Sequence, residues 1–245
     1  MNRYLFNDIT FENFIVGNSN KLAYSISVEV SKLSDDILYP VYICGPSGCG
    51  KTHLLMAIAN EINKSNPDFN IKYVTAEQFV NELINAINNN ETQKFRKEYI
   101  EADLLLFEDF QFLKLKETSQ EEAFFAFEAL RNLNRPIVVT GNIQLSEGMF
   151  DERIKNLICG GMVINIQKLD KELKSKILKA WSNEIKNVEH EKLEKVINLL
   201  SLIDFNSIVE LKGAFNTAIS GIKLSGFDCS IKNIDDIYIK NHEID

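Results

Sequence analysis

Signals for membrane insertion and for export are missing from this sequence. No apolar run approaches the roughly 20 residues that a membrane-spanning helix needs. The amino terminus, MNRYLFNDIT, goes directly into mixed polar sequence, without a basic-then-apolar signal. No C-x-x-C spacing indicates a zinc site or a disulfide framework among the cysteines, which are Cys44, Cys49, Cys159 and Cys229. We therefore expect a cytoplasmic protein without membrane contact.

Arginine is scarce and the charge balance is acidic. The 245-residue chain carries 27 lysines and arginines against 35 acidic side chains, and only five of the basic residues are arginines. The formal net charge is -8 and the sequence pI is about 5.1. Because a dedicated DNA-binding domain usually carries a basic face, this balance argues against strong non-specific DNA affinity, while a small local patch stays compatible with it.

Short apolar runs alternate with helical patterns as far as about Gln167. The runs predict strands at residues 41–44, 71–74, 104–107, 136–140 and 161–166. Apolar residues at helical spacing predict helices at 52–62, 76–88 and 120–132. This alternation is typical of an α/β fold in which a parallel sheet has helices on both faces.

The remainder of the chain is helical in pattern. Helices are predicted at residues 171–184, 191–201 and 208–224, without any intervening strand. We therefore expect an α/β domain at 1–167 and a small all-α domain at 168–245.

One segment has the form of a phosphate-binding loop, G-x-x-x-x-G-K-[ST]. It lies between a predicted strand and a predicted helix, a context that a chance match in a glycine-containing turn would not share. Glycines let backbone N–H groups turn toward phosphate oxygens, and the helix directs its positive end at them. The predicted nucleotide-binding residues are Gly45, Pro46, Ser47, Gly48, Cys49, Gly50, Lys51, Thr52 and the adjacent His53. Of these, Lys51 is expected to reach the β- and γ-phosphates and Thr52 to ligate Mg²⁺.

Polar residues end two later strands. In ADLLLFEDFQFL an apolar strand ends at Glu108 and Asp109, which would place carboxylates beside the Mg²⁺ ion. One carboxylate would hold the metal through water, with Glu108 and Thr52 as the candidate metal residues, and the other would polarise the attacking water. After the strand in PIVVTGN, Asn142 would contact the γ-phosphate or hold that water. The alternatives are a solvated acidic turn and a turn-forming asparagine. Asp109, Glu108 and Asn142 are the candidate catalytic residues.

Together these segments resemble the AAA+ domain of the DnaA/Hda family of bacterial replication proteins, from about Thr10 to about Asp235. TFENFIVGNSNKLAY is similar to the family's N-terminal box, which implies adenine contacts from Ile15 and Val16. YVTAEQFVNELINAI and FRKEY resemble the initiator-specific helices, and LKGAFNTAI resembles the lid helix that reaches back to the nucleotide. The resemblance implies an AAA+ P-loop fold with a helical lid, ATP or ADP with Mg²⁺ as ligands, and a task in DNA replication.

Three departures from the family pattern bear on catalysis. The acidic pair is usually Asp-Asp, so Glu108 moves the first carboxylate by a methylene, which we expect to disturb metal geometry. The arginine finger position corresponds to Leu157, although a shift of the alignment by one turn would bring Arg153 or Lys155 there. The lid arginine that senses the γ-phosphate corresponds to Val209. Because positive charge is missing where the transition state accumulates negative charge, we expect slow or negligible hydrolysis unless a partner supplies an arginine.

The DNA-binding features of the family are also reduced. The initiator binds duplex DNA through a C-terminal helix-turn-helix domain, and this chain stops where that domain would begin, so sequence-specific duplex binding is not expected. In the loop that contacts single-stranded DNA, Lys116 keeps one charge and Thr118 stands where arginine is usual. Ile84 keeps the hydrophobic contact. Weak single-stranded DNA binding through Ile84 and Lys116 is therefore expected.

Three functions are compared. The favoured one is a DnaA/Hda-like regulator that binds ATP or ADP and contacts a DnaA-type initiator, or another AAA+ replication protein, through AAA+ surfaces. The alternative is an active ATPase of the helicase-loader type, which needs a competent finger from a neighbouring subunit. A P-loop kinase of a small molecule would need several arginines to hold donor and acceptor phosphates, and the helical lid carries almost none.

Overall fold

A computed structural model of the chain describes residues 8–142, Leu145 and residues 149–225. The end of the predicted all-α domain, with Cys229 and His242, lies outside these residues. Within this part of the chain, no helix combines the length and the apolar character that crossing a membrane demands.

The described strands form one parallel sheet. They are β1 (Val41–Cys44), β2 (Ile71–Thr75), β3 (Leu104–Glu108), β4 (Ile137–Gly141) and β5 (Met162–Asn165). The strand order is β2-β3-β4-β1-β5, and every neighbouring pair is parallel. The five predicted strands are confirmed, with ends that differ by a residue or less. β1, β3 and β4 are buried along their whole length, as expected for strands covered on both faces.

Helices connect the strands in the first of two compact units, which contains residues 8–14, 20–46 and 50–166 of the described chain. They are α1 (Lys21–Ser31), α2 (Lys51–Ser65), α3 (Ala76–Asn88), α4 (Thr92–Ile100), the 3₁₀ helix Phe110–Leu113, α5 (Glu117–Asn132) and α6 (Glu152–Cys159). Local capping explains some of their starts. A capping box begins α3, because the Thr75 side chain accepts from the Gln78 N–H and Gln78 bonds back to the Thr75 N–H.

Aromatic rings fill the core on one face of this sheet. The ring centroid of Phe79, on α3, lies 5.2 Å from that of Phe95, 5.0 Å from that of Tyr99 and 5.4 Å from that of Phe107. Phe107, on β3, also lies 5.4 Å from Phe127 of α5 in an edge-to-face arrangement. The packing of α3, α4 and α5 against the sheet therefore depends on one continuous aromatic cluster.

The second unit contains residues 15–19, 47–49 and 167–225 of the described chain. Its helices are α7 (Lys171–Ser182), α8 (His190–Leu202) and α9 (Ile208–Ser225), in agreement with the three predicted helices. They pack around a separate apolar core that includes Leu178, Val196 and Phe215. Asp170 caps α7 by accepting from the Leu173 N–H at 2.7 Å.

The aromatic cluster leads to a stability prediction. Phe107→Ala removes a fully buried ring and should lower the free energy of unfolding by about 3–5 kcal/mol. Phe112→Ala is the matched control, because that ring is 51% exposed and its removal should change the free energy by no more than about 0.5 kcal/mol. Urea denaturation followed by circular dichroism measures both. Equal losses in the two variants would contradict this account of the core.

Candidate functional site

The glycine-rich loop connects the end of β1 to the start of α2. The Gly45 N–H donates to the Gly141 carbonyl oxygen at 3.1 Å, which joins the loop to the end of β4. Gly48 and Gly50 have φ angles of 67° and 100°, in the left-handed region that favours glycine. A Cβ on Gly50 would also lie 2.9 Å from the Phe14 ring. Both glycines are therefore required by the backbone path of the loop.

Lys51 is the first residue of α2, and its side chain is buried within the loop. Its ammonium group donates to the carbonyl oxygens of Gly45 and Pro46, each at 2.8 Å, and the residue is only 7% exposed. A buried ammonium group must be compensated by hydrogen bonds. The loop carbonyls provide this compensation and hold the positive charge at the loop.

Glu108 ends β3 and brings three elements together. Its Oε1 atom accepts a hydrogen bond from the Thr52 hydroxyl on α2, and its Oε2 atom accepts one from the Tyr73 hydroxyl on β2. Glu108 is only 6% exposed. Sequence reasoning anticipated Thr52 and Glu108 as partners at a metal site and missed Tyr73, which stands inside an apolar strand and carries no motif.

Asp109 and Asn142 are joined through a side chain that the sequence did not single out. The Gln111 amide nitrogen donates to Asp109 Oδ1 at 2.9 Å, and the Gln111 amide oxygen accepts from the Asn142 N–H at 3.2 Å. Asp109 has a φ of 59°, which is uncommon for a non-glycine residue, and its N–H donates to the Thr140 hydroxyl at 3.3 Å. The ends of β3 and β4 therefore present their polar groups together.

Burial also changes the chemistry of a cysteine near the loop. It raises the pKa of the Cys44 thiol, while the hydrogen bond to Tyr42 and the positive charge of Lys51 act in the opposite direction. Cys44 therefore behaves as a neutral, apolar residue of the sheet rather than as a nucleophile. Cys49, in the loop itself, is also buried.

The other predicted binding residues lie in two places. In the first unit, the His53 imidazole Nε2 lies 2.8 Å from the Thr10 carbonyl oxygen, and its ring meets Phe14 edge-on. In the second unit, Ile15 packs against the apolar core, and the Val16 carbonyl oxygen accepts from Lys176 at 3.5 Å.

Within the second unit, residues 47–49 of the loop lie against the start of α9. The Ile208 N–H donates to the Gly48 carbonyl oxygen at 3.0 Å. A Cβ on Gly48 would lie 3.4 Å from the Val209 side chain, which is itself 71% exposed. Val209, the residue expected at the lid arginine position, thus lies beside residues 47–49 of the loop and presents a methyl group to them.

The positions considered for a finger lie on α6. Leu157 is 4% exposed and belongs to the apolar core. Arg153 is exposed and forms an ion pair with Asp151 at 2.8 Å, which lowers the pKa of that carboxyl group. Lys155 pairs with Glu152 at 3.1 Å. Each basic side chain of this helix therefore already has an acidic neighbour on the same helix or at its start.

Ile84 and Lys116 both lie at the surface of the first unit. Ile84 is 48% exposed on α3, and Lys116 is exposed at the start of α5, where it is the N-cap residue. Thr118, in the first turn of the same helix, is exposed as well.

The strand order and the loop after β1 place the fold in the AAA+ class of P-loop proteins. Residues 5–165 match the family model of the bacterial DnaA ATPase domain, and the chain belongs to that family. It is 38% identical to the chromosomal replication initiator protein DnaA of Tropheryma whipplei strain Twist over 207 residues, which are 84% of this chain and 42% of that protein. The chain thus spans less than half of that relative's length.

Two solved structures are similar over nearly the whole chain. Domain III of the Thermotoga maritima replication initiation protein DnaA matches with a TM-score of 0.81 and 29% identity, covering 97% of this chain and 98% of that one. A replication initiator DnaA bound to AMPPCP and single-stranded DNA matches with a TM-score of 0.80 and 29% identity, covering 97% of this chain and 70% of that one.

Two glycines allow a test of the loop geometry. Gly50→Ala places a Cβ against Phe14 at a positive φ and should lower the free energy of unfolding by about 1–3 kcal/mol. Gly213→Ala should raise it by about 0.5–1 kcal/mol, because Gly213 lies inside α9 and the added Cβ would meet no atom within 4 Å beyond the neighbouring backbone of its own helix. Chemical denaturation measures both signs. A Gly50→Ala protein at least as stable as the unaltered chain would rule out the strained loop.

Proposed function

We propose that this chain binds ATP or ADP together with Mg²⁺ and acts in the initiation or regulation of DNA replication. The observation that carries the proposal is the buried Lys51 ammonium group, which bonds within the loop at the start of α2. The next residue, Thr52, donates its hydroxyl hydrogen to the buried Glu108. This combination suits a polyphosphate and a divalent cation, since it offers a fixed positive charge, oxygen ligands and a helix amino terminus.

Each residue at the edge of the sheet then has a distinct part. Lys51 and the loop N–H groups would bind the phosphates. Thr52 and Glu108 would hold Mg²⁺, which would supply positive charge to neutralise the phosphates. Asp109 and Asn142 would orient an attacking water, a role that their connection through Gln111 supports. Ile15 and Val16, in the segment that resembles the family's N-terminal box, would contact the adenine. His53, which follows Thr52 on α2, is the remaining residue proposed to bind the nucleotide.

We also propose that the chain divides into a nucleotide-binding domain at 1–167 and a helical lid domain at 168–245. The two separate apolar cores support this division. Intrinsic hydrolysis should be slow, because Leu157 is part of the core and Val209 offers no charge to the loop. A DnaA-type initiator or another AAA+ replication protein is then the partner that would supply a missing arginine.

Nucleotide binding and turnover test this proposal together. Lys51→Ala should weaken ATP binding by about 10- to 150-fold, the loss expected for one hydrogen bond to a charged group. Lys64→Ala is the control, since it removes an exposed lysine at the far end of the same helix. A fluorescent ATP analogue measures affinity, and phosphate release measures turnover, with and without a DnaA-type initiator.

The outcomes separate the two candidate functions. Tight binding with turnover only alongside the initiator supports a regulator that borrows an arginine. Turnover by the purified chain alone would favour the helicase-loader type of ATPase. Equal affinity of the Lys51→Ala protein and the unaltered chain would refute nucleotide binding at this loop.

A weak affinity for single-stranded DNA is the second part of the proposal. It is supported by the exposure of Ile84 and Lys116 and by the match to a DnaA bound to single-stranded DNA. Ile84→Ala should weaken binding to a thymidine oligonucleotide about fivefold, for about 1 kcal/mol of apolar contact. Lys116→Ala should reduce the slope of log affinity against log salt by about 0.7.

Fluorescence anisotropy of the labelled oligonucleotide measures both changes. Leu22→Ala, at a position that is 61% exposed on α1, and Lys64→Ala provide apolar and charged controls outside the proposed surface. If the controls weaken binding as much as Ile84→Ala and Lys116→Ala do, the DNA surface lies elsewhere.

A further inference from the structure

The glutamate at the end of β3 is held from two sides. Its Oε1 atom accepts from Thr52 and its Oε2 atom from Tyr73, so both oxygens of a buried carboxylate have hydroxyl partners. The register of the sheet explains the second contact. Thr75 lies opposite Glu108, and Tyr73 precedes Thr75 by two residues, so its side chain is on the same face as Glu108.

The lengths of the two side chains match this arrangement. Tyr73 starts about 6.6 Å back along the strand from Thr75, a distance that a tyrosine ring with its hydroxyl can span. An aspartate at position 108 would be shorter by one methylene and would withdraw its carboxylate from one of the two hydroxyls. The longer glutamate is therefore matched to a tyrosine on the neighbouring strand.

We propose that Tyr73 is a positioning residue for the metal site, holding Glu108 so that its carboxylate faces Thr52. This inference rests on the proposed function, since it concerns the Mg²⁺ that would accompany the nucleotide. Thr52 has one hydroxyl hydrogen, which it donates to Glu108, so its lone pairs are directed elsewhere and can serve a cation. Tyr73 fixes Oε2, the second carboxylate oxygen of Glu108. The orientation of Glu108 toward Thr52 therefore does not depend on a bound ion.

A positioning role and a merely structural role of Tyr73 predict different effects of its loss on nucleotide binding. Loss of a purely structural hydrogen bond would lower stability and would weaken nucleotide binding equally with and without Mg²⁺. Loss of a group that orients a metal-holding carboxylate weakens only the part of binding that depends on the metal. The Mg²⁺ dependence of nucleotide affinity is therefore the informative measurement.

The experiment compares Tyr73→Phe with Tyr39→Phe. Each removes one hydroxyl, but the Tyr39 hydroxyl is buried without a hydrogen-bond partner among the described residues. ATP affinity is measured with a fluorescent analogue during a Mg²⁺ titration and again in excess EDTA. Tyr73→Phe should raise about tenfold the Mg²⁺ concentration at which the gain in ATP affinity is half-maximal. Its ATP affinity in EDTA should stay within about twofold of that of the unaltered chain. Tyr39→Phe should leave both values unchanged.

A double-mutant cycle with Glu108→Asp checks that the effect passes through Glu108. Because the shorter carboxylate cannot hold both hydroxyls, Tyr73→Phe should add little in the Glu108→Asp background. A normal Mg²⁺ dependence of Tyr73→Phe, an equal loss in EDTA, or full additivity in the cycle would overturn the inference while the proposed function stands. Absence of nucleotide binding by the unaltered chain would overturn both.

Discussion

The parallel direction of the five described strands is the constraint on which the candidate site depends. It brings the carboxyl ends of β1, β3 and β4 to one edge, where the sheet hydrogen bonds set their spacing. The glycine-rich loop begins at this edge, and Gly45 bonds to Gly141 at the end of β4. A side chain at Gly141 would clash with the Tyr42 hydroxyl, so the sheet itself requires a glycine there. The position of the site is therefore determined by the strand order as well as by its sequence motifs.

Two opposite charges are buried at this edge, and each has its own compensation. Lys51 bonds to loop carbonyls, while Glu108 bonds to hydroxyl groups from α2 and β2. Buried polar groups are costly unless they are hydrogen-bonded, so these partners offset the burial of both side chains and orient them without requiring contact between them. The proposed nucleotide and its cation would therefore need little further ordering of these side chains when they bind.

The sequence predicted the sheet well because its buried strands are short, continuous apolar runs. It predicted α3 to the residue from its strongly periodic apolar stripe, and the structure adds a capping box at its start. It did not predict α1 or α6 from periodicity. On α1, the buried positions include Ser27 and Ser31, so its buried face does not appear as an apolar stripe in the sequence. The helix α6 has only eight residues and buries three of them, which is too few for a clear period. Motifs located Lys51, Thr52 and Glu108, but Tyr73 and Gln111 became visible only once the strands were placed side by side.

The distribution of arginine bears on what this site can do. Among the described residues, Arg96 makes two bonds to Glu122, Arg135 bonds to backbone carbonyls and lies near Asp103, and Arg153 pairs with Asp151. These guanidinium groups stabilise the fold and have partners that would be lost if they moved. In the proposed function, Lys51 and the cation would neutralise the charge of a bound polyphosphate. The extra negative charge of a transferring phosphoryl group needs more, and in related systems an arginine supplied by a partner accounts for about 10³–10⁵ in rate. The proposed dependence on a partner therefore rests on Leu157 and Val209, which bring no positive charge to the site.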